Sequence, residues 1–232
     1  MALLLVLFTL FPGTRIANLP TGRMLDAGRW QLAVSHRFLS SADNEVLEDN
    51  ILNFVHTASV RFSVQRAFGP RLAAGAGFYN AGNELAVDAA WAPWEHLTAC
   101  VSLGTDVIDI AGSSTWLAVA PVIHHAPGER FHVVALPRVT ASTDSLFLSV
   151  GLGAELALGR DLSLGFETEP VLVGDADKLA WNLALDKELG WHNFTLTVGN
   201  AWHQSVPGWF AGANRDVTRG LFRIGFNILR QL

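Results

Sequence analysis

From Gly28 to the C-terminus the chain repeats one pattern: a stretch of alternating apolar and small or polar side chains, then a turn. A period of two places every second side chain on one face of a strand, and no other feature narrows the fold so far. Between Leu146 and Leu158, Leu148, Val150, Leu152, Ala154 and Leu156 take one face, and Ser149, Gly151, Gly153 and Glu155 the other. Leu179, Trp181, Leu183 and Leu185 alternate with Ala180, Asn182, Ala184 and Asp186. Phe194, Leu196 and Val198 alternate with Thr195, Thr197 and Gly199. Helical spacing fits none of these windows better. Division at turn residues predicts twelve strands, over 28–39, 54–67, 71–79, 84–92, 96–104, 115–124, 130–139, 146–158, 162–171, 178–187, 192–202 and 221–232.

The links between them alternate in length. Gly69-Pro70, Pro93-Trp94-Glu95, Ala126-Pro127-Gly128, Gly159-Arg160-Asp161 and Gly190-Trp191 are tight turns. Longer polar links cover 40–53, 80–83, 105–114, 140–145, 173–177 and 204–220. Short turns at one end, long loops at the other and an even strand number predict an all-β fold. It is a closed antiparallel up-and-down transmembrane β-barrel of about 12 strands, with short periplasmic turns and longer extracellular loops, set in a bacterial outer membrane.

Composition decides which way the apolar face points. Half the residues are hydrophobic and 16% are charged, with two lysines, Lys178 and Lys187; a soluble domain carries roughly 25% charged residues. The face opposite the apolar one is mostly Ser, Thr, Gly, Ala and Asn, too poor in charge for a water-facing exterior. The apolar face therefore meets lipid, and lipid requires a sheet with no unpaired edge. A net charge of -5 without a basic cluster excludes a nucleic-acid partner. The lone Cys100 excludes a disulfide framework, and no cofactor is implied. Trp30, Trp91, Trp94 and Trp191 fall near the tight turns, and Tyr79, Trp116, Trp181 and Trp202 towards the loops, as two aromatic girdles would. Outer-membrane lipids and lipopolysaccharide are the expected surroundings.

The apolar run Ala2–Phe11 is too short to span a bilayer as a helix and fits the core of a secretory signal. Residues 1–17 thus read as a signal peptide or its remnant and 18–232 as one barrel domain. The last strand ends on Leu232, in the style recognised by barrel assembly machinery, although Arg230 interrupts its apolar series.

The segment Leu19-Pro-Thr-Gly-Arg-Met-Leu-Asp-Ala-Gly-Arg-Trp-Gln-Leu-Ala-Val-Ser-His-Arg-Phe38 resembles the opening of a family of bacterial outer-membrane β-barrels catalogued as a domain of unknown function. In that family a Pro-Thr-Gly-like stretch, here Pro20, Thr21 and Gly22, precedes a first strand ending in His-Arg-Phe, here His36, Arg37 and Phe38. An acidic loop over 40–50 replaces the Gly- and Phe-rich stretch expected next. The resemblance implies an outer-membrane barrel and no reaction.

With the polar face inward, the interior charges are Arg37, Arg61, Asp88, Arg138, Glu155, Glu167, Glu169, Asp186 and Arg223. Opposed arginines and carboxylates either set the selectivity of a pore or pair to fill the barrel. His124, His125 and His132 flank one tight turn, but only Glu129 stands near enough to add a ligand, so no metal site is expected. No Gly-x-Ser-x-Gly occurs, and His36 and Ser35, as strand neighbours, point to opposite faces; no catalytic residue is assigned. Acidic loops (Asp43, Glu45, Glu48, Asp49; Asp106, Asp109; Asp175, Asp177) suit solvation or cation bridges to lipopolysaccharide. Val206-Pro-Gly-Trp-Phe210, apolar among polar residues, is the candidate gate or docking element. The leading expectation is a narrow porin-like channel for small polar solutes or ions. The alternative is a non-conducting barrel whose loops or periplasmic side bind a partner, and a third is a lipid-modifying enzyme.

Overall fold

The computed structural model describes residues 14–38, 58–80, 83–107, 114–128, 130–176, 178–201, 204–211, 213 and 222–232. Its strands are β1 (Trp30–Phe38), β2 (Ala58–Gly69), β3 (Leu72–Tyr79), β4 (Glu84–Trp94), β5 (Leu97–Asp106), β6 (Thr115–His125) and β7 (Phe131–Ser142). They continue with β8 (Leu146–Ala157), β9 (Leu162–Glu169), β10 (Val171–Val173), β11 (Ala180–Leu189), β12 (His192–Gly199) and β13 (Arg223–Gln231). One short helix, α1 (Val206–Ala211), precedes the last strand.

Consecutive strands pair antiparallel, except that β10 pairs with β8 alone and β9 with β8 and β11, and β13 pairs with β1 over Gln31↔Gln231 to Arg37↔Gly225. The sheet is therefore closed. Strands β9 and β10 form one stave interrupted at Pro170: β8 pairs with both, and the Val150 N–H donates to the Pro170 carbonyl at 3.1 Å. The barrel thus has the twelve staves the alternation predicted, with ends shifted by a few residues.

Proline placement follows the same logic. The β6–β7 ladder breaks between Val119↔Val139 and Ile123↔Ala135, which sets Pro121 opposite Pro137. Neither residue has an N–H to lose, so the two interruptions coincide at one rung of the wall.

The faces segregate as required for a barrel in lipid. Leu103, Leu117, Val119, Ile123, Leu152, Phe166, Leu183 and Leu196 lie exposed on the outside, while Thr140, Ser149, Ser163, Asn182, Thr195, Thr197 and Asn227 are buried inside. Among the described residues no helix is long and apolar enough to cross a membrane, a criterion that does not apply to strands.

Candidate functional site

The inner wall carries mainly small side chains, and two segments that are not part of the wall occupy the space it leaves. The first is Thr14–Leu25. It folds into a tight loop, with Thr21 N–H on the Thr14 carbonyl at 2.9 Å and Ile16 N–H on the Leu19 carbonyl at 3.0 Å. Glu167 of β9 receives that loop. Its carboxylate accepts the successive N–H groups of Ala17, Asn18 and Leu19 at 2.9–3.0 Å, the Asn18 side-chain amide at 3.0 Å and the Asn182 amide at 2.9 Å. Consecutive N–H groups turned towards one point form an anion-binding concavity, here filled by the wall's own acid.

Glycines on β8 and β9 make room for the loop's apolar side chains. A Cβ on Gly165 would lie 2.7 Å from Ile16 Cγ2; one on Gly153 would overlap Ile16 Cδ1, and one on Gly151 would meet Leu19 at 3.0 Å. Further ties are Thr98 Oγ1–H to the Gly22 carbonyl at 2.7 Å, Asn227 Nδ2–H to the Ala17 carbonyl at 3.2 Å, and Arg23 to Glu155 at 2.8 Å. Residues 14–17 lie within the barrel, with Ile16 and Ala17 buried.

The second insert is α1. Ser205 caps it: its hydroxyl accepts the Gly208 N–H at 3.3 Å and its carbonyl the Trp209 N–H at 2.9 Å, while Pro207 occupies the first turn, where no N–H is needed. The helix turns Trp209 and Phe210 into the lumen. Trp209 Nε1–H donates to Glu169 at 2.8 Å, and Phe210 meets Phe147 edge-on at 5.4 Å. Both rings join Ile16 and Leu19 in one buried cluster with Ala120, Val122, Val134 and Leu136 of β6 and β7. The lumen is therefore not uniformly polar: Ala118, Ala120 and Val122 of β6 and Val134 and Leu136 of β7 face inward as well, and the inserts dock there. Alternation between two kinds of apolar residue hid this from the sequence.

The nine charges assigned to the interior lie as follows. Arg37, Arg61, Arg138, Glu155, Glu167, Glu169, Asp186 and Arg223 are buried, and Asp88 is half-buried. Arg138 binds Glu169 at 2.9–3.0 Å, and Ser149 donates to the same carboxylate at 2.6 Å. Glu155 also meets His132 Nδ1 at 3.1 Å. Asp186 accepts from Thr195 at 2.5 Å, Arg37 donates to Asn227 Oδ1 at 2.9 Å, and Asp88 accepts from Ser102 at 2.6 Å. The sequence missed Arg15 and Arg23, both assigned no role because they precede the first strand.

Two narrow cavities persist, one of about 70 Å³ reaching from β2 across β4 and β5 to Ala118, Ala120, Leu136 and Arg138 of β6 and β7, the other of about 50 Å³ along β1 to β4 and β13, and Arg15 and Asp88 line both. A wider recess of about 430 Å³ opens at the tight-turn end, lined by Arg23, Met24, Trp94, Glu95 and His124. Burial lowers the pKa of Arg15; Arg61 pushes it the same way and Asp88 opposes.

Two aromatic assignments are corrected. Tyr79 and Trp116 were expected in the loop-end girdle, but their side chains are 2% and 3% exposed and point inward. Arg61 stacks on the Tyr79 ring at 5.2 Å, and Trp116 covers Gly104. Strand parity decides: Phe78 and Leu117 hold the outward positions beside them. Trp30, Trp91, Trp94 and Trp191 are exposed at the tight-turn end, Trp181 is half-buried, and Trp202 lies outside the described residues. His96, His124 and His132 approach one another at ring separations of 6.3 and 5.8 Å, yet among the described residues no three His, Cys, Asp or Glu side chains form a metal-holding group. Glu129 and the acidic residues over 43–49 lie outside the described residues.

Residues 119–232 match the family described as a membrane bound beta barrel domain (DUF5777). The chain has the fold of an outer-membrane β-barrel. The family match covers β6 onward and not the Leu19–Phe38 segment that carried the resemblance. Among solved structures, the KdgM porin in complex with disordered oligogalacturonate superposes with a TM-score of 0.58 at 10% identity, over 86% of this chain and 98% of that one. The COG4313 outer membrane channel from Pseudomonas putida F1 gives 0.53 at 10% identity, over 90% and 97%. The NanC porin gives 0.53 at 10%, over 88% and 100%. No curated protein sequence matches the barrel.

Proposed function

We propose that this barrel is a narrow channel for small polar solutes or ions, closed in the present conformation by its two inserts. The observation that carries the reading is what fills the lumen. A barrel built as a solid pin would fill itself with large wall side chains. Here glycine, alanine, serine and threonine line much of the wall, and the bulk comes from Ile16, Leu19, Trp209 and Phe210 on segments that are not staves. Displacing either segment opens a path without unmaking a rung of the sheet. The KdgM porin's complex contains an oligogalacturonate; the remaining cavities here suit solutes much smaller than a sugar chain. The barrel assembly machinery and lipopolysaccharide remain its proposed partners, through β13 and the loops respectively.

The strength of the Glu167 attachment favours a second reading, a permanently sealed barrel with its function in the loops. Single-channel recording separates the two. The refolded full chain should show small intermittent steps, and a variant with Ile16→Ser and Leu19→Ser larger and longer ones. Absence of steps from both proteins, with folding verified by heat-modifiable mobility, would overturn the channel reading.

A further inference from the structure

The lumen charges divide unevenly between the two sides of the barrel. On β8, β9 and β11 the carboxylates are engaged: Glu155 by Arg23 and His132, Glu169 by Arg138, Ser149 and Trp209, Glu167 by the N-terminal loop, and Asp186 by Thr195. On the opposite side the excess is positive. Arg61 is 5% exposed, its Nε has no hydrogen-bond partner, and it leans on the Tyr79 ring. Arg15 spends one nitrogen on the Asn18 carbonyl at 2.8 Å. Among the described residues neither guanidinium is ion-paired to a carboxylate.

These two arginines bound the smaller cavity together, with Asp88, Gln31, Gln65 and Asn227 around them. Among the described residues Asp88 supplies the only carboxylate on its lining, and it already accepts from Ser102. At Arg15 the repulsion from Arg61 exceeds the attraction of Asp88. Two like charges turned into one low-dielectric space leave a vacancy for a compensating charge of opposite sign. Guanidinium offers several N–H donors in a plane, a match for carboxylate and for halide.

We propose that the space between Arg15 and Arg61 is a binding site for a small monovalent anion, either a halide or the carboxylate of a small organic acid. The inference rests on the channel reading for its role, as the point where solute is selected, but the binding itself is separable from conduction. Cys100 provides the measurement. It is the only cysteine of the chain, lines the larger cavity beside Arg15 and Asp88, and stands within the field of Arg15.

The refolded full-length protein is treated with two methanethiosulfonate reagents of similar size, one sulfonate and one trimethylammonium, and both rates are normalised to those on unfolded protein. The sulfonate should react faster by about tenfold, the effect of one uncompensated charge at this range. Arg15→Gln should bring the ratio towards one, and Arg61→Gln should lower it partway. Wild-type labelling by the sulfonate should also slow when chloride or acetate replaces a bulky sulfonate buffer at constant ionic strength, which needs no variant. Competition by chloride alone, or by acetate, identifies which anion the site prefers. Equal rates, faster reaction with the cation, or a Cys100 that neither reagent reaches would overturn the proposal. Selective labelling without conductance would leave the anion site standing and remove the channel reading instead.

Discussion

A carboxylate that accepts three consecutive backbone N–H groups and two side-chain amides, as Glu167 does, holds a piece of chain more firmly than any apolar contact of equal size. Charge-assisted bonds are roughly twice as strong as neutral ones, and all of these are shielded from water. Glu167→Ala leaves several buried donors unpaired at once, each costing roughly 1–3 kcal/mol when nothing replaces the acceptor, reduced where water enters. A loss of about 2–4 kcal/mol in urea unfolding of the detergent-embedded barrel is therefore expected. Glu167→Gln, which keeps one acceptor oxygen, should lose less. Equal midpoints for wild type and Glu167→Ala would show that the loop does not depend on this residue. Parity sets Glu167 on the inner face, between Phe166 and Thr168 on the outer one, and its side chain is buried. It could not name the partner, because Ala17–Leu19 lie some 150 positions earlier and carry no pattern that announces a ligand for an acid.

Among whole elements, strands were legible and inserts were not. A strand advertises itself through its own alternation, and the turn residues between strands fix its ends; even the small-residue run Ala73–Gly77 forms the middle of β3. An insert in the lumen needs only to fit a cavity made by other parts of the chain, so nothing periodic marks Thr14–Leu25. Helix α1 left a trace as an apolar island in a polar link, which explains why Val206–Phe210 stood out without its lodging being evident. The girdle shows the limit of reading position without parity. Placement along a strand gives depth in the membrane, and parity gives inside or outside; both are required before a ring is assigned to lipid. Variants retaining a single tryptophan test the corrected assignment in vesicles with brominated acyl chains. Fluorescence from Trp94 and Trp191 should be quenched strongly, whereas Trp116 and Trp209 should keep most of theirs. Quenching of Trp116 to the level of Trp94 would return it to the outer face.

For the molecule as a whole, everything depends on the seam between β1 and β13, since an open edge in lipid would leave a row of N–H and C=O groups unpaired at several kcal/mol each. The register sets Val34 opposite Ile228 and His36 opposite Phe226. Directly opposed residues hold their Cβ atoms about 4.5–5.5 Å apart, within reach of a disulfide after slight adjustment, while diagonal neighbours stand about 7–8 Å apart and are not. In a Cys100→Ser background, Val34→Cys with Ile228→Cys should therefore oxidise within one molecule and yield a circularised band of altered mobility after denaturation. Val34→Cys with Phe226→Cys should remain reduced under the same treatment. The seam also governs the inserts: Asn227, one residue before the proposed bridge, donates to the Ala17 carbonyl, and Gln31 of β1 accepts from Thr14. Closing the barrel and seating the N-terminal loop are thus coupled steps, so the cross-linked protein should keep its loop in place at urea concentrations that release it from the uncross-linked parent. Cross-links only between molecules, or a diagonal pair that closes as readily as the opposed one, would mean that the sheet closes in another register, and the lumen with its Arg15–Arg61 space would have to be rebuilt from that register.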